Sequence, residues 1–346
     1  MSLKAFISGI EYYLPQEVLD NDRLAAELGN WTGPKIEEKT GIRQRHLASA
    51  QQCSSDLAFE AATKLFRSGA CRPEEIDFLL FCTQSPDYFL PTTACLLQHR
   101  LKLPTTCGAL DFNLGCSGFV YGLGLAKGLI ESGQAGKVLL LTAETYSKFI
   151  HPQDRSTRTL FGDAAAATLV AAVAADQDYI GPFVYGTDGS GAANLIVPTG
   201  GLRQPCVPGS APATDPSGNL PTLNVLSMNG PEIFQFTLQA VPQAVAHLLQ
   251  RADQPVSAID RFVFHQANGY MLEHLRKHLK LPSDKFSICL AHCGNTVSST
   301  IPIALCEDAA AGAIKDGDRV MLVGFGVGYS WGATLLRWHQ PARRTA

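Results

Sequence analysis

The sequence predicts an α/β protein made of two related halves, and three observations carry that expectation. Short aliphatic and β-branched runs recur along the chain, longer helical patterns separate them, and one run with its lead-in is echoed in the second half. Runs that are apolar on both faces read as strands of a buried, mostly parallel sheet, because crossover helices then cover both sides.

The strand candidates in order are Phe78 to Cys82, Val138 to Thr142, Phe262 to His265 and Val320 to Val323. The first echo lays Pro73-Glu-Glu-Ile-Asp-Phe-Leu-Leu-Phe-Cys82 on Val256-Ser-Ala-Ile-Asp-Arg-Phe-Val-Phe-His265, with Ile76-Asp77 over Ile259-Asp260. The second pairs Gly133-Gln-Ala-Gly-Lys-Val-Leu-Leu-Leu with Ile314-Lys-Asp-Gly-Asp-Arg-Val-Met-Leu, each a helix end, a polar turn and a strand. Between the echoes each half has a glycine followed at once by a candidate helix: Gly115-Cys116 leads into one, Gly294-Asn295 into the other. Cys116 lies 22 residues before Val138, and Asn295 lies 25 before Val320. The two thus hold nearly equivalent points, each at a helix amino terminus where free N–H groups favour negative charge. His265 closes the strand that matches the one ending at Cys82. Ligands of open α/β sheets gather outside the carboxyl ends of strands, so three polar groups converge on one region. Val197 to Leu223, rich in Pro, Gly, Ser and Thr without a period, reads as a long surface loop.

Composition narrows the function classes. A length of 346 residues gives a prior of about two structural units, and 46% apolar content supplies a sizeable core. With 28 Lys plus Arg against 31 Asp plus Glu, the net charge of −3 excludes a polyanion-coating protein, and no nucleic-acid partner is expected. The start, MSLKAFISGIEYYLP, lacks a basic segment followed by an apolar one, so a cytoplasmic location is expected. The longest nearly apolar run, Ala164 to Ala175, has twelve residues. A bilayer needs about twenty, so no membrane span is expected. Ten scattered cysteines without a CxxC read as free thiols, most of them small buried hydrophobes.

Cys116 stands apart from the other cysteines. Gly115 and Gly118 around it permit close approach of a substrate, and a helix amino terminus is expected to pull its thiol well below the usual value near 8.5. Gly-Cys-Ser-Gly is not a hydrolase elbow, since Leu114 stands where that motif needs glycine. His265 alone would more often be a satisfied core residue, but it opens His-Gln-Ala-Asn, where Gln266 and Asn268 add amides just past the strand. Asn295 alone would be as well explained as a helix cap.

Taken together, these pieces resemble the β-ketoacyl-acyl-carrier-protein synthase III family and its thiolase-fold relatives over almost the whole chain. The matching segments are Lys39-Thr-Gly-Ile-Arg-Gln-Arg-His46, Leu90-Pro-Thr-Thr-Ala-Cys-Leu-Leu-Gln98, Asn113-Leu-Gly-Cys-Ser-Gly-Phe119, Asp154-Arg-Ser-Thr157 running on through Leu160-Phe-Gly-Asp163, His265-Gln-Ala-Asn268, Gly294-Asn-Thr296 and Gly324-Phe-Gly-Val-Gly-Tyr-Ser-Trp-Gly332. The resemblance implies a five-layered αβαβα thiolase-like fold of two duplicated halves, 1–175 with the nucleophilic cysteine and 176–346 with the histidine and asparagine, in a homodimer.

It also implies roles. Cys116 would take an acyl group from acyl-CoA as a thioester. His265 and Asn295 would bind the thioester carbonyl of malonyl-acyl-carrier protein and stabilise the enolate left by decarboxylation. The N–H groups of Cys116 and Val327 match a second oxyanion hole, and Phe325 matches a gate beside the nucleophile. Lys39 and Arg155 match cationic CoA contacts, Asn268 a pantetheine contact, and Lys277 a carrier-protein contact. Leu90 matches a phenylalanine that closes the acyl pocket across the dimer, so an acyl starter other than acetyl is expected. Lys35 replaces a tryptophan that meets the CoA adenine, Pro231 an amide, and Tyr270 and Gln235 basic residues. No cofactor or metal is implied, since the CoA thioester and phosphopantetheine arm are substrates. The alternative is an acyltransferase or specialised-metabolite ketosynthase of the same fold with a non-acetyl donor.

Rival chemistries fare worse. Gly324-Phe-Gly-Val-Gly has the look of a dinucleotide loop, yet only eighteen residues follow Gly328, too few for the required βαβ unit. His274 and His278 are spaced as zinc ligands, but Leu275 stands where HExxH needs glutamate, and a solvated helix face is the ordinary reading. A thiolase would need a second cysteine between Gly324 and Gly332, and none is there. A noncatalytic scaffold would have no use for all three polar groups.

Overall fold

The computed structural model describes residues 2–29, 31–205 and 225–339. The part of the expected loop over 206–223 therefore lies outside the described residues, while 197–205 has no helix or strand. Five strands form the first sheet: β1 (Ser2–Tyr13), β2 (Phe78–Cys82), β3 (Gly108–Phe112), β4 (Lys137–Glu144) and β5 (Ala164–Ala175). Four form the second: β6 (Ile180–Thr187), β7 (Arg261–Phe264), β8 (Arg319–Gly326) and β9 (Ser330–Arg337). The main helices are α1 (Ser54–Arg67), α2 (Thr93–Arg100), α3 (Gly118–Glu131), α4 (Gly230–Ala252), α5 (Gly269–His278) and α6 (Thr300–Ala310).

The layers follow from alternation along the strands. Leu79, Phe81, Leu139, Leu141 and Leu169 face outward onto α1 and α2. Their neighbours Leu80, Val138, Leu140 and Val170 face inward onto α3 and α6. In the second sheet Val263, Val320 and Leu322 meet the same two helices, while Phe262, Phe264, Met321 and Val323 pack under α4 and α5. The result is helix, sheet, helix pair, sheet, helix, with α3 and α6 walled in by both sheets. That sandwiching explains why α3 reads apolar nearly all round.

The sheets are mixed rather than mostly parallel. β2 pairs parallel with β3 and β4, and β7 parallel with β8, but β5 runs antiparallel to both β1 and β4, and β9 antiparallel to β8 and β6. An apolar run reports burial on both faces and carries no strand direction. The connection from β8 to β9 has only three residues, Val327 to Tyr329, and so short a link joins only antiparallel neighbours.

The echo has a structural counterpart. Pro73–Glu75 and Val256–Ala258 are each one 3₁₀ turn leading into β2 and β7. Asp77 Oδ2 accepts from the backbone of Gly136 and Lys137 at 2.8 and 2.9 Å, and Asp260 Oδ2 accepts from Arg319 N at 2.9 Å. Each aspartate therefore fixes the start of the neighbouring strand in its own sheet. No helix of the described residues is long and apolar enough to cross a membrane. The nine described cysteines are all free. Cys71, Cys82, Cys107, Cys116 and Cys293 are buried, whereas Cys95 is exposed.

Candidate active site

Cys116 lies in the turn between β3 and α3, closed by a bond from Gly118 N to Gly115 O at 2.8 Å. The turn faces the end of β8. A Cβ placed on Gly326 would sit 2.8 Å from Cys116 Sγ, and one on Gly324 would sit 2.9 Å from Cys116 O. Only glycine lets the two backbones approach so closely. Ser117 Oγ and Ser330 Oγ, 2.5 Å apart, tie the same turn to β9. The glycine-rich segment thus ends a strand against the thiol and returns as a hairpin, which removes the dinucleotide-loop reading.

His265 follows β7 and is 2% exposed. Its N–H bonds Val323 O at 2.8 Å, its Nδ1 lies 2.7 Å from Thr300 Oγ1, and its ring stands edge-on to Phe325, 5.4 Å between centroids. Burial lowers the imidazole to about 3, so it is neutral at physiological pH. Gln266 faces inward instead of toward a cleft: its amide donates to Phe264 O at 2.7 Å and accepts from Cys289 N at 2.8 Å.

Asn295 is 5% exposed and is held by residues 160–162 of the first half. Asn295 N donates to Leu160 O at 2.9 Å, and Gly162 N donates to Asn295 O at 3.0 Å. Its Oδ1 accepts from Val297 N at 2.9 Å, and a 3₁₀ turn, Val297–Ser299, separates it from α6. The expectation that Gly294-Asn295 opens directly into a helix is corrected by that one turn. Thr300 Oγ1 reaches both His265 and Val297 O, the latter at 3.1 Å, and Val297 shares an apolar cluster with Cys116. These contacts bring Cys116, His265 and Asn295 to one end of the middle layer.

The thiol departs from expectation. Its value is pushed up to about 12, first by burial and then by the Glu144 carboxyl, although the N–H groups of Val327 and of Cys116 itself pull it down. A helix terminus contributes at most about 2 kcal/mol, while withdrawing an ion from water costs several. Burial therefore wins, and the thiol is protonated.

The outer residues are spread more widely. Lys39 and Lys35 are exposed on the short helix Gly33–Thr40, with their Nζ atoms 4.9 and 5.8 Å from the Trp31 ring centre. Exposed Arg155 donates to Leu28 O at 3.0 Å. Asn268 uses its Oδ1 to cap α5, accepting from Met271 N at 2.8 Å. Pro231 is exposed in the first turn of α4, where a missing N–H costs nothing. Lys277 pairs with Glu273 at 3.4 Å. Tyr270 is exposed and packs with Phe234 and His274, so the His274 face of α5 is an aromatic cluster rather than a fully solvated one. Leu90 is 83% exposed beside exposed Tyr88 and Phe89. Among the described residues no group of three His, Cys, Asp or Glu side chains could hold a metal.

Comparison with known proteins decides the family. Residues 110–189 match the family model for 3-oxoacyl-acyl-carrier-protein synthase III, and residues 249–338 match its C-terminal counterpart. The chain is 36% identical over 339 residues to a β-ketoacyl-acyl-carrier-protein synthase III of Caldanaerobacter subterraneus, covering 97% of this chain and 98% of that one. The chain belongs to the β-ketoacyl-acyl-carrier-protein synthase III family. Solved structures agree. A 3-oxoacyl-acyl-carrier-protein synthase III matches with a TM-score of 0.94 and 54% identity over 97% of this chain and 100% of that one. A 3-oxoacyl-acyl-carrier-protein synthase from Burkholderia xenovorans matches with a TM-score of 0.88 and 38% identity over 97% and 94%. The protein is thus an acyltransferase of the thiolase fold that performs the condensation of this family.

Sequence reasoning missed four groups at the site. Thr300 sets the imidazole, Gly326 admits the sulfur, and Glu144 with Ser298 lies behind both. A glutamate ending the largely apolar, buried strand Lys137–Glu144 was the one available signal.

Proposed function

We propose that Cys116, His265 and Asn295 divide the condensation between them, with acyl-CoA and malonyl-acyl-carrier protein as substrates. The Cys116 sulfur attacks the acyl-CoA carbonyl. A new carbon–sulfur bond forms, the bond to CoA breaks, and the thiol proton leaves on CoA. Malonyl-carrier protein then loses CO2, and its enolate attacks the acyl carbon. Cys116 leaves as thiolate and regains a proton from water, while β-ketoacyl-carrier protein departs.

The observation that carries this reading is the neutral, buried imidazole set against Phe325, one residue from the glycine that touches the Cys116 sulfur. A neutral ring can donate one hydrogen bond to a developing oxyanion without bringing a competing charge into a dry site. The Asn295 amide is the natural second donor. The N–H groups of Cys116 and Val327, both directed at the sulfur, suit the oxyanion of the acyl-transfer step. Phe325 would gate the sulfur.

Lys39 and Arg155 would receive CoA phosphates, and the Lys277 face the acidic carrier protein. Asn268 would touch the pantetheine arm with the part of its amide that does not cap α5. The exposed run Tyr88-Phe89-Leu90 supports a homodimer in which Leu90 reaches the partner's acyl pocket. Residues 1–175 and 176–346 form the two related halves, a division supported by strand membership, since the first sheet ends at Ala175 and the second begins at Ile180. The enzyme works in the cytoplasm and needs no cofactor, because both thioesters are consumed as substrates. The test is intact-mass spectrometry after incubation with an acyl-CoA panel. One acyl mass is expected on the wild type and none on Cys116→Ala. An adduct that survives the substitution overturns the assignment.

A further inference from the structure

Glu144 is a buried acid that the reaction as written leaves unused. It ends β4 with no exposed surface, and three donors from two halves of the chain converge on it. Gln84 N points between its oxygens at 3.2 and 3.1 Å, Ser85 Oγ donates to Oε2 at 3.0 Å, and Ser298 Oγ donates to Oε1 at 3.0 Å. Gln84 and Ser85 follow β2, and Gln84 backs the nucleophile's turn, where its Oε1 would lie 2.5 Å from a Cβ on Gly115. Ser298 sits in the 3₁₀ turn that Asn295 opens. One carboxyl thus holds the loop behind Cys116 with one hand and the turn of Asn295 with the other.

We propose that Glu144 is a positioning residue for the condensation: its carboxyl clamps the Asn295–Ser299 turn to the Gln84 loop and so fixes where the Asn295 amide stands relative to the Cys116 sulfur. The inference rests on the roles proposed above for Cys116 and Asn295. It explains why a carboxyl that adds to the effect of burial on the thiol is kept near it. Burial raises Glu144 itself to about 8, a cost the fold carries for the sake of the three bonds. A misplacement near 1 Å at a reacting centre costs about 10² in rate. Loosening the turn therefore acts on the step that uses Asn295, and acylation of Cys116 is spared.

The test measures the half-reactions separately on the full chain: acyl mass gained at Cys116 against time, and CO2 released from malonyl-carrier protein at saturation. Ser298→Ala and Glu144→Gln are each expected to slow CO2 release at least tenfold, on the order set by that misplacement, with acylation within about threefold of wild type. The double variant should be little worse than the poorer single one, because both cut one connection. Equal losses in the two half-reactions, unchanged CO2 release, or additive effects overturn the clamp. If Glu144→Gln does not fold, Ser298→Ala decides alone. A wild type that acylates at some other residue overturns the roles of Cys116 and the clamp together, whereas a wild type acylated at Cys116 without the split removes the clamp only.

Discussion

Gly326→Ala probes the approach of the two halves at the sulfur itself. The added Cβ would lie 2.8 Å from Cys116 Sγ and 2.9 Å from Cys116 Cβ, where ordinary contact begins near 3.4 Å, so something must yield by 3.4 − 2.8 = 0.6 Å. Residue 326 has strand conformation, so the effect is crowding without backbone strain. Rotating the thiol would not relieve the contact with Cys116 Cβ, which the backbone fixes. Overpacking a dense core costs about 1–3 kcal/mol, a fall of several degrees in Tm. A shift of this size at the nucleophile should slow acylation by roughly 10 to 10²-fold. The assay pairs thermal unfolding with time-resolved intact mass after acyl-CoA addition. Gly128→Ala is the control: nothing lies within 4 Å of its added Cβ, and alanine favours the middle of α3, so stability and acylation should hold or improve. Wild-type acylation and Tm in Gly326→Ala would refute the packing of β8 on the thiol.

Two further outcomes test the electrostatics. Thr300→Val removes the hydroxyl beside His265 Nδ1, and losing a buried bond worth about 1 kcal/mol should slow malonyl decarboxylation several-fold with little effect on acylation. An unchanged decarboxylation rate would show that Thr300 does not orient the ring. Because burial holds the Cys116 thiol protonated up to about 12, its alkylation by iodoacetamide should climb about tenfold per pH unit from 7 to 10 without levelling. A plateau near pH 8.5 would mean that the sulfur is solvated.

Much of the fold was legible because burial writes itself into sequence. The runs at Phe78, Val138, Phe262 and Val320 are strands, and the Ile-Asp echo marks two aspartates that do the same work in each sheet. Strand direction was not legible, since β5 is as apolar as the parallel strands, and only the three-residue link before β9 forces a reversal. At the site, Cys116 and His265 stood out because each sits just past a strand or just before a helix, and Asn295 because its glycine pattern matches that of Cys116. The sense of the thiol shift was not legible. It depends on the balance of burial and Glu144 against two N–H groups, and three of those four inputs come from outside the local segment. Thr300 and Ser298 were hidden for a similar reason: a hydroxyl beside an apolar helix reads as a cap until its partner across the interface is known.

The central helices explain why two equivalent positions became one site. α3 and α6 lie between the same two sheets, and the turns before them come from matching points of the two halves. Hydroxyls anchor each turn to a strand of the opposite sheet: Ser117 to Ser330 of β9 at 2.5 Å, and Ser299 to Thr142 of β4 at 2.8 Å. Each of the two helix amino termini offers N–H groups and a weakly positive end, α3 just after Cys116 and α6 beyond the 3₁₀ turn that follows Asn295. In water such ends would contribute little. Shut between two sheets they cannot ionise the thiol against the cost of burial, but they do favour negative charge that a reaction brings in, on a tetrahedral oxyanion or an enolate. On the roles proposed above, such a site holds its nucleophile neutral until substrate arrives and keeps its donors for the charged species that follow, the division of labour a condensation in two steps requires.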